Sequence, residues 1–212
     1  MSAMAVYESA LRTGSEFLVR APDGRLLTLP VHRWLDDATP CDGAMLDLCV
    51  GPTLDIGCGP GRLTRALTDR GVDALGIDLS AEAVRLATAR GVPALQADVF
   101  TGLPREGGWT NVLLADGNIG IGGDPAALLR RCTELVAPHG SVIVEVDPPG
   151  TGVIRGRVQV TADGLQGWMP WATVASDALP AVAAEAGLTV RTFTVTPSAR
   201  HIAELVRERP PA

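Results

Sequence analysis

A glycine-rich segment at residues 54–63 constrains the fold of this chain more than any other feature. It reads Leu-Asp-Ile-Gly-Cys-Gly-Pro-Gly-Arg-Leu and lies between a short apolar run, 53–56, and a helical pattern, 62–70. Glycines between a strand and a helix allow the tight turn that brings backbone close to a bound ligand. The segment therefore predicts a ligand-binding turn within an α/β structure.

Short apolar runs alternate with helical stretches from Gly51 onward, which predicts a parallel sheet covered by helices on both faces. The predicted strands are 53–56, 74–77, 93–97, 111–115, 141–146, 188–195 and 201–206, and the predicted helices are 62–70, 81–90, 125–136 and 177–186. The last two strands are joined by too few residues for a helical crossover, so we expect them to be antiparallel.

The chain of 212 residues suits one domain with two peripheral segments, one before the first predicted strand and one after the fifth. We interpret residues 1–50 as an N-terminal helical cap segment and residues 51–208 as the ligand-binding domain. Within that domain, residues 151–174 break the alternation and predict an inserted hairpin or flap. Its position directly after a strand end predicts that it lies near the ligand.

Two acidic residues follow the glycine segment at the ends of the next two predicted strands. Asp78 lies 21 residues beyond Gly57, where an acidic side chain reaches ribose hydroxyls in doubly wound nucleotide sites. Asp98 follows the third strand, at the same carboxyl edge of the sheet. The spacing predicts that both carboxylates line one crevice.

The Asp-x-Gly-x-Gly-x-Gly segment followed by Asp78 and Asp98 resembles the class I S-adenosylmethionine-dependent methyltransferase family. The resemblance spans residues 53–146 by motif and extends to about residue 206 by strand order, because that family ends its sheet with an antiparallel strand. It implies a three-layer Rossmann-like sandwich with a seven-stranded, mostly parallel sheet. It also implies S-adenosyl-L-methionine as the cofactor.

The resemblance further implies roles for individual residues. Gly57 and Gly59 would line the methionine part of the cofactor, and Asp78 would hold both ribose hydroxyls. Asp98 and Val99 would contact the adenine. The other expected cofactor contacts are Asp55, at the loop and the amino group, with Cys58, Leu79 and Asp116.

A dinucleotide site is the main alternative for a glycine turn of this kind. Its Gly-x-Gly-x-x-Gly/Ala pattern requires a small residue at position 62, where this chain has Arg62. A second alternative is that the glycines serve only the turn and the acids only cap helices. The two correctly spaced acids favour the methyltransferase interpretation.

Methyl transfer from a sulfonium requires mainly orientation and exclusion of water, with a base where the acceptor must lose a proton. We expect acceptor contacts where the fourth and fifth strands end, near Asn118 and Glu145. Glu145 interrupts a strand otherwise suited to burial, and either an acceptor contact or an arginine partner accounts for it. We predict that Glu145 and Asn118, rather than any histidine, are the catalytic residues.

The residues after the fourth predicted strand constrain the acceptor. Residues 115–120 lack the Asn/Asp-Pro-Pro-Tyr motif of the family's members that methylate amino groups in nucleic acids and proteins. We therefore expect a small-molecule acceptor, with Trp168 and Trp171 as candidates for an apolar pocket. Three aromatic residues near the N-terminus either close a lid over the cofactor or simply pack: Tyr7, Phe17 and Trp34.

Composition excludes several other functions. The net charge of −6 disfavours nucleic acid as a partner, because a phosphate backbone would be repelled. All 18 basic residues are arginine, which excludes lysine Schiff bases and lysine-dependent phosphate loops. The four cysteines lack metal-ligand spacing, so we expect no metal. With no long apolar run and no leader-like start, we expect a cytoplasmic protein with no membrane partner. The sequence does not indicate an oligomeric state.

The sequence thus predicts an S-adenosylmethionine-dependent methyltransferase that acts on a small molecule by in-line transfer. One alternative is a different transferase on the same fold, such as an aminopropyl transferase, which would need an acidic polyamine pocket. Only the segment around Asp116 hints at one. The other alternative is a non-catalytic cofactor-binding subunit.

Overall fold

The computed structural model describes residues 1–22 and 24–208. The strands are β1 (Phe17–Arg20), β2 (Leu26–Leu29), β3 (Thr53–Ile56), β4 (Ala74–Asp78), β5 (Ala94–Gln96), β6 (Trp109–Leu114), β7 (Val136–Val146), β8 (Val153–Ala162), β9 (Leu165–Val174), β10 (Leu188–Val195) and β11 (His201–Arg207). The helices are α1 (Ala3–Thr13), α2 (Val31–Leu35), α3 (Gly43–Leu46), α4 (Arg62–Asp69), α5 (Ala81–Ala89), α6 (Pro125–Leu135) and α7 (Leu179–Ala184), with 3-10 turns at Pro40–Asp42 and Asn118–Gly120.

The main sheet has seven strands in the order β10-β11-β7-β6-β3-β4-β5. Strands β3 to β7 pair in parallel, whereas β11 runs antiparallel to both β7 and β10. This is the predicted fold class, and the prediction is confirmed. Its consequence for function is that the carboxyl ends of β3, β4, β5, β6 and β7 meet at one edge.

Helices cover both faces of the main sheet, because the central strands are apolar on both sides. Val112 and Val142 pack against α6 and α7 on one face, and Leu113 and Ile143 pack against α3 and α4 on the other. Burying one such side chain contributes about 1.5–3 kcal/mol. Two cores therefore hold the sheet rigid beneath the edge where the strands end.

The N-terminal segment departs from the sequence-based expectation. Residues 1–50 are not helical throughout: β1 and β2 form a hairpin, and β1 pairs with β8 to give a second sheet in the order β2-β1-β8-β9. Four-residue strands carry little periodic signal, and these two form because β8 supplies a partner over 100 residues away in the chain, with Leu18 opposite Thr161. The prediction of a helical segment holds for α1, α2 and α3 and is wrong for β1 and β2.

One strand boundary also differs. Strand β7 begins at Val136 rather than at residue 141, and the Pro-His-Gly at 138–140 lies in a register shift against β6, between the pairs Trp109–Val136 and Asn111–Ser141. Gly140 permits this because a Cβ there would lie 2.7 Å from the Thr110 carbonyl oxygen. Within the described part of the chain the longest helices, α1 and α6, have 11 residues each, and none has the length and hydropathy of a membrane span.

Candidate functional site

A cavity of about 890 Å³ lies between the carboxyl edge of the main sheet and the four-stranded sheet. Its floor is the glycine segment with the ends of β4, β6 and β7, and its roof is formed by α1 and strands β1, β2, β8 and β9. The volume lies in the upper part of the usual range for ligand sites, roughly 300–1,000 Å³. Two small ligands placed side by side fit a space of this size.

The glycine segment forms the tight turn that the sequence predicts. Gly57, Gly59 and Gly61 have φ angles of +70°, +55° and +84°, a region that disfavours residues with a Cβ. At Gly57 a Cβ would also lie 2.7 Å from the Asn118 side-chain nitrogen. The turn therefore presents bare backbone to the cavity.

Asp78 is tied to the glycine segment by its carboxylate. One oxygen accepts a hydrogen bond from the Gly59 N–H at 2.9 Å, and the other accepts one from the Ser80 N–H at 2.8 Å. Burial raises the pKa of Asp78, and these backbone hydrogen bonds oppose that rise. Since a carboxylate has about four acceptor positions, Asp78 keeps acceptor capacity for hydroxyl groups in the cavity.

Asp55 and Cys58 line the cavity, but their polar groups contact the protein. The Asp55 carboxylate accepts a hydrogen bond from the Thr64 hydroxyl at 2.7 Å, and burial raises its pKa to about 6. The Cys58 sulfur fills the space beside Gly76, where a Cβ would lie 2.6 Å from it. Burial raises the pKa of this thiol well above its usual value, so it stays protonated.

The opposite rim of the cavity contains Leu79, Asp98 and Val99. Leu79 is 53% exposed and Phe100 is 47% exposed, although both are large and apolar. Asp98 accepts a hydrogen bond from the Phe100 N–H at 2.9 Å, which fixes the carboxylate at the rim. Apolar side chains with a polar group placed among them are typical of a ligand site.

Tyr7, Phe17 and Trp34 form an aromatic cluster in the cavity roof. Their ring centroids are 5.9–6.1 Å apart in edge-to-face arrangements. The Tyr7 hydroxyl lies above the glycine turn, 3.3 Å from where a Cβ of Gly59 would be. Burial and then Asp78 raise the pKa of Tyr7 well above its usual value, so it remains a hydrogen-bond donor. The three rings therefore pack against one another, and Tyr7 also lies above the glycine turn.

Asn118 and Glu145 occupy different places. Asn118 lines the cavity, and its side-chain NH₂ donates to the carbonyl oxygens of Ile56 and Gly57 at 2.9 and 3.0 Å. Glu145 does not line this cavity. Both of its oxygens accept from Arg200 at 2.7 Å, and one also accepts from the Asp116 N–H at 2.8 Å. Burial raises the pKa of Glu145, but Arg200 outweighs burial and lowers it overall.

Glu145 belongs to a group of charged side chains beneath the cavity, here called the ion cluster: Asp42, Arg62, Asp116, Glu145 and Arg200. Arg62 pairs with Asp42 at 2.6 Å and with Asp116 at 2.7 Å, and Arg200 pairs with Asp42 at 2.5 Å. Asp42 is fully buried, and although burial raises its pKa, Arg62 and Arg200 lower it strongly. The cluster holds Asp116 in a left-handed conformation, φ +51°.

Sequence reasoning missed most of this cluster, because Asp42 and Arg200 lie in segments without a motif. The cluster also leaves Asp116 with little free charge toward the cavity, since Arg62 and Arg200 both approach its carboxylate, the latter at 3.5 Å. The position of Arg62, where a dinucleotide loop needs a small residue, is explained by its role as the centre of these pairs.

One face of the four-stranded sheet, here called the inner face, forms the cavity roof. The strand register places Phe17 opposite Leu29, Val19 opposite Leu27 and opposite Val160, and Val158 opposite Met169 on this face. The inner-face residues that line the cavity are Phe17, Val19, Leu27, Leu29, Ile154, Val158, Met169, Trp171 and Thr173. Trp168 points the other way, is 51% exposed and reaches only the rim.

The hairpin β8-β9 is attached to the main sheet at the carboxyl edge. Trp171 pairs with Ile121 and Ala175 with Asp147 in isolated bridges. Gly120 permits the first contact, because a Cβ there would lie 2.0 Å from the Ala172 carbonyl oxygen. The inserted segment thus lies over the strand ends.

Part of the chain is similar in sequence to known methyltransferases. A family model described as a methyltransferase domain matches residues 53–140. The ubiquinone biosynthesis O-methyltransferase of Ralstonia nicotianae is 30% identical over 115 residues, covering 51% of this chain and 45% of that protein. The trans-aconitate 2-methyltransferase of Paracidovorax citrulli is 33% identical over 98 residues, covering 44% of this chain and 37% of that protein.

The chain spans about half the length of the curated relatives it matches, or less. Among solved structures, a SAM-dependent methyltransferase from Bacteroides fragilis in complex with S-adenosyl-L-homocysteine has a TM-score of 0.81 at 20% identity. That similarity covers 96% of this chain and 93% of the other. The shared architecture therefore includes the N-terminal segment and the hairpin as well as the main sheet.

Proposed function

Residues 53–140 belong to the methyltransferase domain family, within a class I Rossmann-like fold, and from that premise we propose that the chain transfers a methyl group from S-adenosylmethionine to a small-molecule acceptor. The resemblance predicted from the glycine segment is confirmed at the level of family and fold. The catalysed reaction, the cofactor contacts and the acceptor are the proposal.

The observation that carries the proposal is the junction of the glycine turn with Asp78. The turn offers bare backbone, and the Asp78 carboxylate keeps acceptor capacity after bonding the Gly59 and Ser80 N–H groups. This capacity suits the ribose hydroxyls of an adenosyl group. S-adenosylmethionine has no pyrophosphate, which agrees with Arg62 and its acidic partners filling the space behind the turn.

We assign the remaining cofactor contacts by position. Leu79 and Val99 would contact the adenine, with Asp98 bonding its edge from the rim. Tyr7 would cover the cofactor from above, and Asp116 would approach its amino group. The contacts of Asp55, Gly57, Cys58 and Gly59 would come through the turn backbone, because the two side chains among them are occupied elsewhere.

The chemistry requires little of the protein beyond geometry. Bound S-adenosylmethionine would supply a methyl group already activated by the positive sulfur. The protein would exclude water with its apolar roof and hold the acceptor in line with the breaking bond. Asn118 would keep the turn in place through Ile56 and Gly57, and Glu145 would act indirectly by holding Asp116.

The aminopropyl alternative is weakened by the ion cluster. A polyamine needs several free carboxylates, whereas Asp116 is paired with Arg62 at 2.7 Å and approached by Arg200. The non-catalytic alternative is addressed by turnover: a binding subunit would take up cofactor but release no product.

Calorimetry on the purified chain tests the cofactor proposal. We expect S-adenosylhomocysteine to bind and NAD and NADP not to bind. Supplying S-adenosylmethionine with a metabolite extract should then yield S-adenosylhomocysteine above the rate without extract. Tight NAD binding with no heat from S-adenosylhomocysteine would refute the proposal, and cofactor binding without any turnover would favour a non-catalytic role.

A further inference from the structure

The cavity extends beyond the glycine turn into a space enclosed by the inner face, and that space is almost wholly apolar. The side chains there come from four different strands, yet among the inner-face residues that line the cavity only Thr173 and the indole N–H of Trp171 are polar. An acceptor rich in charged or hydroxyl groups would lose its water in this space without gaining partners. The wall therefore selects for apolar molecules.

Asp147 and Thr173 interrupt the apolar wall at one corner, and Arg25, which also lines the cavity, lies close enough to Asp147 to lower its pKa. The end of β9 runs beside the end of β7, because the Asp147 N–H donates to the Val174 carbonyl and the Ser176 N–H donates to the Asp147 carbonyl, both at 2.9 Å. Both residues line the cavity. The local chain path thus brings a carboxylate and a hydroxyl to the same corner.

Of the two groups, the Thr173 hydroxyl is buried and the Asp147 side chain is exposed. The Thr173 hydroxyl oxygen has no hydrogen-bond partner among residues 1–22 and 24–208. Buried polar groups in folded proteins are nearly always paired, so an unpaired hydroxyl beside a carboxylate in a cavity indicates a ligand group that completes it. A hydroxyl, which both donates and accepts, fits the two at once.

We propose that the methyl acceptor is an apolar small molecule bearing a hydroxyl group, and that Asp147 and Thr173 bind that hydroxyl, an inference that rests on the proposed function. Asp147 thus takes the role that the sequence suggested for Glu145. Asp147 lies two residues beyond Glu145, roughly 7 Å further along an extended chain, and therefore lies past the edge of the sheet. Glu145 stays within the sheet and pairs with Arg200.

The transfer step requires no group beyond Asp147, Thr173, the acceptor hydroxyl and the cofactor. The acceptor hydroxyl gives its proton to the Asp147 carboxylate while the oxygen forms a bond to the methyl carbon. The bond from sulfur to that carbon breaks, and its electron pair stays on sulfur, which becomes a neutral thioether. Thr173 donates to the acceptor oxygen and fixes its direction before the transfer.

The electrostatic setting of Asp147 agrees with a base. Burial raises the pKa of Asp147, Arg25 and His201 oppose that rise, and Glu145 reinforces it. Arg25 comes from the loop after β1, His201 from β11 and Glu145 from β7. A carboxylate with a raised pKa accepts a proton more readily, and it must be ionised to do so. Turnover should therefore fall as the pH drops through the pKa of Asp147.

The first experiment uses the chain saturated with S-adenosylhomocysteine and measures binding by calorimetry. The probes are phenol and 2-naphthol, their parent hydrocarbons benzene and naphthalene, and a polar set of glucose, glutamate and citrate. We expect binding of at least one apolar hydroxyl compound, at least tenfold tighter than its hydrocarbon, and none of the polar set. Binding of the polar set alone, or of no hydroxyl compound, overturns the proposal.

The second experiment compares Asp147→Asn, Asp147→Glu and Thr173→Val with the surface control Asp69→Asn. We expect Asp147→Asn to slow turnover of the bound hydroxyl compound about 10²- to 10⁴-fold and to remove the acidic limb of the pH profile, with Asp147→Glu recovering part of both. Thr173→Val should raise KM more than it lowers kcat. All variants should bind S-adenosylhomocysteine within about twofold of the wild type.

The outcomes separate the two inferences. If Asp147→Asn keeps full turnover and an unchanged pH profile, the assignment of Asp147 is wrong while the proposed function stands. If the wild type does not bind S-adenosylhomocysteine at all, the proposed function fails and this inference fails with it.

Discussion

Replacing Arg200 by methionine tests whether the ion cluster holds the floor of the cavity. The Arg200 side chain is 7% exposed, and its guanidinium bonds both oxygens of Glu145 at 2.7 Å while also pairing with the fully buried Asp42. Methionine keeps most of the volume and removes the charge. Glu145 then loses both of its ionic hydrogen bonds and retains only the Asp116 N–H.

The magnitude depends on the partners that each acid keeps. Breaking a buried ion pair from one side costs about 3–5 kcal/mol. Asp42 retains Arg62 at 2.6 Å, and Glu145 is 16% exposed, so the cost should lie near the lower bound, about 3 kcal/mol. For a chain of this length, 1 kcal/mol corresponds to about 2–4 °C in Tm. We therefore expect Tm to fall by about 6–12 °C.

The matched control is Arg65→Met, which removes a surface pair with Asp69 at 3.6 Å, its side chains 43% and 68% exposed. That change should cost less than about 0.5 kcal/mol. Chemical denaturation of both variants, and of Arg200→Met combined with Glu145→Gln, measures the difference. The double variant should recover part of the loss, because the unpaired carboxylate is gone.

The pH dependence of the free energy of unfolding tests the same cluster in a second way. The pKa values of Asp42 and Glu145 are lowered in the folded state, so their pairing stabilises the fold above the unfolded carboxyl range and is lost as the pH falls through the folded pKa. Arg200→Met should flatten this loss. If Arg200→Met costs no more than Arg65→Met at pH 7, the ion cluster does not contribute as described.

Three further outcomes are expected. In calorimetry, Asp78→Ala should weaken S-adenosylhomocysteine binding about tenfold to several hundredfold, and binding within twofold of the wild type would contradict the ribose assignment. The same change should lower the free energy of unfolding by about 1–3 kcal/mol, because two backbone N–H groups lose their acceptor. The Asp55 pKa of about 6 exceeds its usual value of 3.8, so Asp55 contributes stability that is lost as the pH rises from about 4 to 6; in urea denaturation Asp55→Asn should lose less stability over this range than the wild type, and an equal loss would refute the burial account. Gly120→Ala should cost about 1–3 kcal/mol because its Cβ would lie 2.0 Å from the Ala172 oxygen, whereas Gly102→Ala, with open space at its Cβ, should have little effect; equal melting temperatures for the two would count against the packing of the hairpin.

The sequence by itself determined the parts of the protein that depend on local order. The glycine turn, the spacing to Asp78 and the alternation of strands and helices are all short-range patterns, and from them the main sheet and its antiparallel last strand were predicted. Each pattern reflects the backbone conformation or burial of a few neighbouring residues. Such constraints are readable without knowing what packs across from them.

Only the tertiary structure decided which side chains meet. The strands β1 and β2 exist because β8 pairs with β1, and the ion cluster joins Asp42, Arg62 and Arg200, which lie far apart in the chain. The sequence drew attention to Glu145 as the unusual acid, yet its side chain pairs beneath the cavity while Asp147 lines the cavity. Both are acids near one strand end. What separates them is the position of the sheet edge and of Arg200, and that position is set by long-range packing.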